Sequence, residues 1–200
     1  MFQSVLAYLR DFAAFLREDA REWCEGKSPW WRIILLVYFV YAGMQHMFGS
    51  EEYSDWFKGI TLAFHELGHI LFSPFSYVWM ILGGSLTQVL VPIIAGLYLL
   101  FRQRDYFGVA FTNAWLAFSL WDLAVYVGDA SYERLPLVSM GGTPEHDWSI
   151  LLTRWHVLNH DAKFAFAIRV VAFVVWILSV ALGAWLAYWM RRHEQASKGP

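Results

Sequence analysis

A chain of 200 residues that is 58% hydrophobic and 19% aromatic, with only 16% charged residues, is too apolar for an ordinary water-soluble domain and too short for several domains. A net charge of −2 without a basic tract argues against nucleic acid as a partner. One cysteine, Cys24, excludes an intrachain disulfide framework and a thiolate metal cage, so metal ligands must be histidines or carboxylates.

Residues 1–25 place Val5, Leu6, Leu9, Phe12, Leu16 and Trp23 at helical spacing among Arg10, Asp11, Arg17, Glu18 and Asp19. That pattern predicts an amphipathic helix over 1–28, lying on a membrane surface or on the protein. Its charges interrupt the apolar stretch and no small-residue cleavage site follows, so it does not read as a secretory signal. Gly26-Lys27-Ser28-Pro29 then breaks the helix. A first membrane helix is expected from Ile33 to Phe48, followed by the acidic loop Ser50-Glu51-Glu52-Tyr53-Ser54-Asp55.

A second helix is expected from Trp56 to Phe72, stopped by Ser73-Pro74 and shorter than the ~20 residues of a straight crossing. A long apolar run from Tyr77 to Phe101 follows, then Arg102-Gln103-Arg104-Asp105, then a run from Phe107 to Val127. After a polar connection over 128–165, the last helix is expected from Phe166 to Met190, ending at Arg191-Arg192-His193. The expected fold is all-α: a polytopic helical membrane protein with four to five membrane-embedded helices plus the N-terminal amphipathic helix. Residues 29–193 form its single membrane domain and 194–200 a polar tail. Lys and Arg cluster at 27–32, 102–104 and 191–192, and all three clusters share one side only if the Trp56–Phe72 helix does not fully cross. Trp30, Trp31, Trp79, Trp185 and Trp189 fall where apolar runs begin or end, as interfacial belts do.

Within the short helix stands His65-Glu66-Leu67-Gly68-His69, an H-E-x-x-H pattern. On a helix, residues i and i+4 share a face, with Cβ atoms about 6 Å apart, so both imidazoles reach one Zn²⁺. Glu66 is then placed to polarise a metal-bound water, as in a zinc peptidase. The competing reading is a satisfied polar cluster that packs this helix on its neighbours.

A catalytic zinc needs a third protein ligand. Asp122, inside the apolar Leu120–Val125 stretch, is the first candidate, since an intramembrane acid is costly unless paired. The alternatives are His146 and Asp147 in Gly141-Gly142-Thr143-Pro144-Glu145-His146-Asp147-Trp148, where Asp147 or Thr143 could instead cap the helix that follows. Gly83-Gly84-Ser85-Leu86-Thr87-Gln88 interrupts an apolar helix with small and polar groups; Gly84 and Gln88 are candidate substrate contacts, with tight helix packing as the competing role. His46 reads as interfacial, His156 and His160 as a solvated face, and Asp129 as part of a turn.

On His65, Glu66 and His69 within an apolar helix, followed by Gly83-Gly84-Ser85 in the next membrane segment, the chain resembles the site-2 protease family of intramembrane zinc peptidases over residues 56–100. The resemblance implies zinc on His65 and His69, Glu66 as general base and acid, and a helical bundle with its active site inside the membrane. The family's Asn-x-x-Pro-x-x-x-x-Asp-Gly and Leu-Asp-Gly strings do not occur here. The expected function is therefore a membrane-embedded zinc metallopeptidase, with the lipid bilayer and a membrane protein or peptide as partners and a bacterial inner membrane as its place. A metal-dependent hydrolase of a lipid or small amide, and a non-catalytic zinc-binding scaffold, stand as alternatives.

Overall fold

A computed structural model of the chain describes residues 2–50, 53–137 and 145–198, and every regular element among them is helical. In chain order these are α1 (Phe2–Trp23), α2 (Trp30–Phe48), α3 (Lys58–Phe72), α4 (Tyr77–Tyr98), a π-helical turn (Leu99–Gln103), α5 (Tyr106–Gly128), α6 (Asp147–Arg154), a 3₁₀ turn (Leu158–His160) and α7 (Asp161–Lys198). Glu51, Glu52, Gly141, Gly142, Thr143 and Pro144 lie outside the described residues.

The core forms where α5 lies against α7 and α2. Alanines Ala110, Ala114, Ala117 and Ala124 on α5 and Ala165 and Ala172 on α7 are all buried, and small side chains let helix backbones approach closely. Two polar side chains buried in this region pair with backbone. Ser179 Oγ donates to the Ala110 carbonyl at 2.6 Å, and Trp176 Nε1 donates to the Phe39 carbonyl at 2.9 Å. Both bonds satisfy donors that burial would otherwise penalise.

Among the described residues, three helical stretches are long and apolar enough to cross a membrane: Tyr77–Gln103, Tyr106–Gly128 and Leu158–Ser197. This is fewer than the four to five expected from sequence. α2 has 19 residues, but Trp30, Trp31 and Arg32 at one end and Gln45 and His46 at the other dilute its apolar stretch. α3, at 15 residues, is short of a crossing, as its Ser73-Pro74 stop implies. The last helix starts five residues earlier and ends eight later than its apolar run, because Asp161 accepts from the Ala162 amide at its start while Arg191–Lys198 continue the turns beyond it. Its 38 residues measure about 57 Å at 1.5 Å per residue.

Among its described side chains, the amphipathic α1 is anchored at its C-terminal end. Ala20 and Cys24 are buried, Arg21 stacks over Trp189, and Asp19 pairs with Arg104 and Tyr106, whereas Val5, Leu6, Leu9, Phe12 and Phe15 are exposed. Burial pushes the Cys24 thiol up to about 11 against the opposing pull of Lys27 and Arg32. α5 begins sharply because Arg104 takes a left-handed conformation, φ 50°, and Asp105 Oδ1 then accepts from the Gly108 amide at 3.0 Å.

α3 and α4 form a hairpin that packs almost backbone to backbone. A methyl group on Gly68 would sit 2.2 Å from the Gly83 carbonyl oxygen, and one on Gly83 would sit 2.7 Å from the Gly68 carbonyl oxygen. This contact brings the H-E-x-x-H face of α3 onto the middle of α4.

Candidate metal centre

Three ligand-type side chains converge where α3, α4, α5 and α6 meet. His65 Nε2 lies 2.9 Å from Asp147 Oδ2, and His69 Nε2 lies 3.3 Å from the same oxygen. One donor atom from each residue falls within a 4.8 Å cluster that could hold a metal ion. A tetrahedral ion with bonds of about 2.0 to 2.1 Å holds neighbouring ligand atoms about 3.4 Å apart, near the His69 separation and somewhat beyond the His65 one.

Hydrogen-bond direction tells which ring nitrogen faces the centre. His65 Nδ1 lies 2.7 Å from Gln88 Oε1, and His69 Nδ1 lies 2.9 Å from the Met80 carbonyl oxygen. Both partners are acceptors, the Gln88 amide being oriented by its own Nε2, which donates to the Ser119 carbonyl at 3.3 Å. Each Nδ1 must therefore carry the proton, and in a neutral imidazole the Nε2 lone pair then points at the Asp147 carboxylate. Three electron-rich atoms facing one another require a cation or shared protons between them, and outer hydrogen bonds of this kind are what orient histidine ligands on a metal.

The support for Gln88 is traceable to Pro92, buried inside α4. Proline has no N–H to return to the carbonyl four residues earlier, which is that of Gln88. Ser119 on α5 fills the gap, its Oγ donating to the Gln88 carbonyl at 3.1 Å. Gln88 and Ser119 thus exchange two hydrogen bonds, and the side chain is held with its oxygen toward His65.

Gly84 marks where the α4 backbone passes the centre. A Cβ there would lie 2.7 Å from His65 Nε2 and 2.7 Å from His69 Nε2, on top of the atoms that would bind the ion. Only glycine leaves that space open.

α6 brings the carboxylate. His146 is the N-cap, its Nδ1 accepting from the Ser149 amide at 3.2 Å, so Asp147 at the first helical position is released from capping and turns to the imidazoles. The Asp147 amide donates to Tyr126 Oη at 2.9 Å, Trp148 Nε1 donates to Ser85 Oγ at 3.0 Å, and Tyr77 Oη donates to Glu145 at 3.0 Å. When protons rather than a cation fill this space, the hydrogen bonds and charge of protonated His65 and His69 outweigh the burial that raises the Asp147 carboxyl, leaving it below its ordinary value.

Asp122, ranked first from sequence, is not part of this cluster. It sits one turn, about 6 Å, before Tyr126, the α5 side chain at the level of Asp147 and His65, and it lines a separate cavity beside α2 and α7. His146 also stands aside: besides capping α6, its Nε2 faces Asp129 at 3.5 Å. Gln88 accepts from His65 and Gly84 lies directly against both imidazoles, so the two residues expected to contact substrate both border this cluster. Glu66 is buried on α3 and close enough to His69 and Tyr126 to act on both electrostatically. His69 is the most open of the three cluster residues, its side chain 24% exposed against 8% for His65.

No family model matches this chain, and no curated protein or solved structure matches it at a significant level. Its chemistry is read from its own geometry.

Several contributors carried no separable signal in the sequence. Tyr126, Ser119 and the Met80 carbonyl matter only because helices distant in the chain meet there. His46, expected at the interface, is enclosed: its Nε2 lies 2.7 Å from Asp55 Oδ2 and its ring stacks on Phe118 and Trp121. His156 is exposed, and His160 bonds its neighbour Asn159, in keeping with a solvated face. Asp129 accepts from the Arg134 and Leu135 amides, a turn.

Proposed function

We propose that this chain is a membrane-embedded zinc metallopeptidase that hydrolyses peptide bonds in or near the bilayer. The observation that carries the reading is the convergence of His65, His69 and Asp147 with both Nδ1 hydrogens committed elsewhere, beside the buried Glu66. The resemblance of the H-E-x-x-H helix and the glycine-rich helix after it to site-2 proteases points the same way. Three apolar stretches of spanning length, and the exposed apolar residues Ile60, Leu62, Leu67, Ile70 and Leu71 on α3, support a place within lipid.

His65, His69 and Asp147 would hold the ion through Nε2, Nε2 and Oδ2. Bound zinc supplies Lewis acidity, lowering the pKa of water to about 7 and polarising a carbonyl. Glu66 takes the proton from the attacking water at its carboxylate as the hydroxyl adds to the scissile carbonyl carbon. It then gives that proton to the amide nitrogen as the C–N bond breaks, leaving a carboxylate and an amine. Gln88 and Met80 keep the imidazoles in the metal-binding tautomer throughout. Tyr126, Ser85 and Tyr77 hold α6 over the site, so the same segment that closes it also supplies a ligand. The partly exposed side of His69 is the open approach for a peptide.

The test compares purified wild type with Glu66→Gln and His65→Ala, by elemental analysis and by cleavage of an apolar transmembrane reporter peptide in liposomes. Wild type and Glu66→Gln are expected to carry about one zinc per chain and His65→Ala none, with cleavage in wild type alone. Normal cleavage by Glu66→Gln would overturn the mechanism. Zinc without cleavage of peptide, lipid or amide reporters by wild type would leave a metal-binding scaffold instead.

A further inference from the structure

The candidate metal centre does not use the cavity of about 500 Å³ that opens between α2, α5 and α7. Among the described residues its charged lining is Asp122 from α5 and Arg169 from α7, with His46 and Ser50 as further polar groups, and its walls are aromatic: Tyr53, Trp121, Phe166 and Phe173. Asp122 is half-buried, accepts no hydrogen bond from a described residue, and has Asp55, His46 and Lys58 rather than the metal cluster as its charged neighbours. Ordinary packing gives no reason to keep a carboxylate there, since an acid inside an apolar helix is costly without a partner.

The position of the cavity narrows the ligand. It lies where α2 ends, α5 ends and α7 begins, so all three helices contribute the same end of the bundle: Met47 and Ser50, Val125, and Phe166. From that end, the α7 side continues into the exposed apolar residues Val170, Val171, Val174, Ile177 and Leu178. A ligand here meets charged groups at the end of the bundle and an apolar track running along α7.

We propose that this cavity binds a phospholipid whose headgroup carries a primary ammonium and a phosphate, with an acyl chain along α7. The ammonium donates to Asp122 and rests against the aromatic wall that Tyr53 contributes, since aromatic rings attract cations through their faces. Arg169 serves the phosphate; a guanidinium has five donors and can do so while keeping a protein partner. A quaternary ammonium has no N–H for Asp122, so a choline headgroup fits less well. An anionic headgroup without an ammonium leaves Asp122 facing negative charge. The inference rests on the membrane placement proposed above, and not on the metal or the hydrolysis.

Recovery of the full chain from the membrane fraction only with detergent tests that placement first and separately. Native mass spectrometry of the detergent-purified protein, titrated with phosphatidylethanolamine, phosphatidylcholine or phosphatidylglycerol, then tests the site. Wild type is expected to bind phosphatidylethanolamine about tenfold more tightly than the other two. Asp122→Asn, nearly isosteric, should erase that preference, and Arg169→Gln should weaken all three lipids together. A chain that extracts as a membrane protein but binds the three lipids equally, or an Asp122→Asn variant that keeps the preference, would overturn the proposal. Displacement of the lipid by equimolar soluble phosphoethanolamine would overturn the lipid assignment in favour of a free zwitterion. Helical content by circular dichroism and thermal midpoints unchanged in Asp122→Asn and Arg169→Gln show that a lost preference is not general unfolding.

Discussion

The α3–α4–α6 corner and the α2–α5–α7 core are assembled by opposite means. In the core, alanines and large apolar side chains exclude water, and the buried Trp176 and Ser179 donate to backbone carbonyls. In the corner, two glycines bring backbones together so that two imidazoles, a carboxylate and their supporting amide and carbonyls can share a small volume. A core of the first kind tolerates loss of a contact at a cost in stability. A corner of the second kind concentrates like-natured lone pairs, and stays folded only if a cation or protons sit between them. The difference teaches that stability and chemistry are held in separate places on one bundle, joined through Ser119 and Tyr126 on α5.

Substitutions can break that separation, and the largest effect belongs to the carboxylate. Asp147→Ala is expected to abolish stoichiometric zinc binding while Asp122→Asn retains it, read by elemental analysis of purified protein; the reverse pattern would return the third ligand to α5. Next, Gly84→Ala places a methyl group 2.7 Å from both Nε2 atoms, and zinc affinity should fall at least about 100-fold in competition with a chelator, with the helical content by circular dichroism unchanged.

In the core, Leu186→Ala removes a fully buried side chain and should cost about 2 to 5 kcal/mol, seen as a lower thermal midpoint, yet leave one zinc per folded chain. A core substitution that emptied the metal site would show that the two regions are not separable. A smaller loss is expected from Gln88→Leu, which keeps the volume but frees the His65 tautomer: about 10- to 100-fold in zinc affinity. The smallest effect is at Cys24. Fully buried, bonded to the Ala20 carbonyl and with its thiol raised to about 11, it should be almost all protonated at pH 8 and react with a maleimide far more slowly in the folded chain than in denaturant.

Much of the helical organisation was legible in the chain. The run from Tyr77 to Phe101 and that from Phe107 to Val127 are α4 with its π turn and α5 nearly residue for residue, because continuous apolar stretches bounded by Ser-Pro or charged clusters permit little else. Boundaries failed where helix propensity and hydropathy part company, as in α7, whose charged ends remain helical beyond the apolar stretch. The pair His65 and His69 was legible because i and i+4 on one helix is a local relation. Asp122 misled because burial of an acid in an apolar helix signals a function without saying which, and its neighbours across the bundle decide that.

By itself, the sequence determined that the chain is helical and largely apolar, that two imidazoles share a helix face with an acid beside them, and that no thiolate could complete a site. Those follow from composition and from contacts within one or two helical turns. Only the tertiary structure decided that Asp147 closes the cluster, that Gln88 and Met80 set the tautomers, and that Ser119 replaces the hydrogen bond Pro92 cannot make. Each of these joins groups from different helices, and the distance between two side chains far apart in sequence is set by how backbones pack, here by Gly68 against Gly83, and by no local pattern.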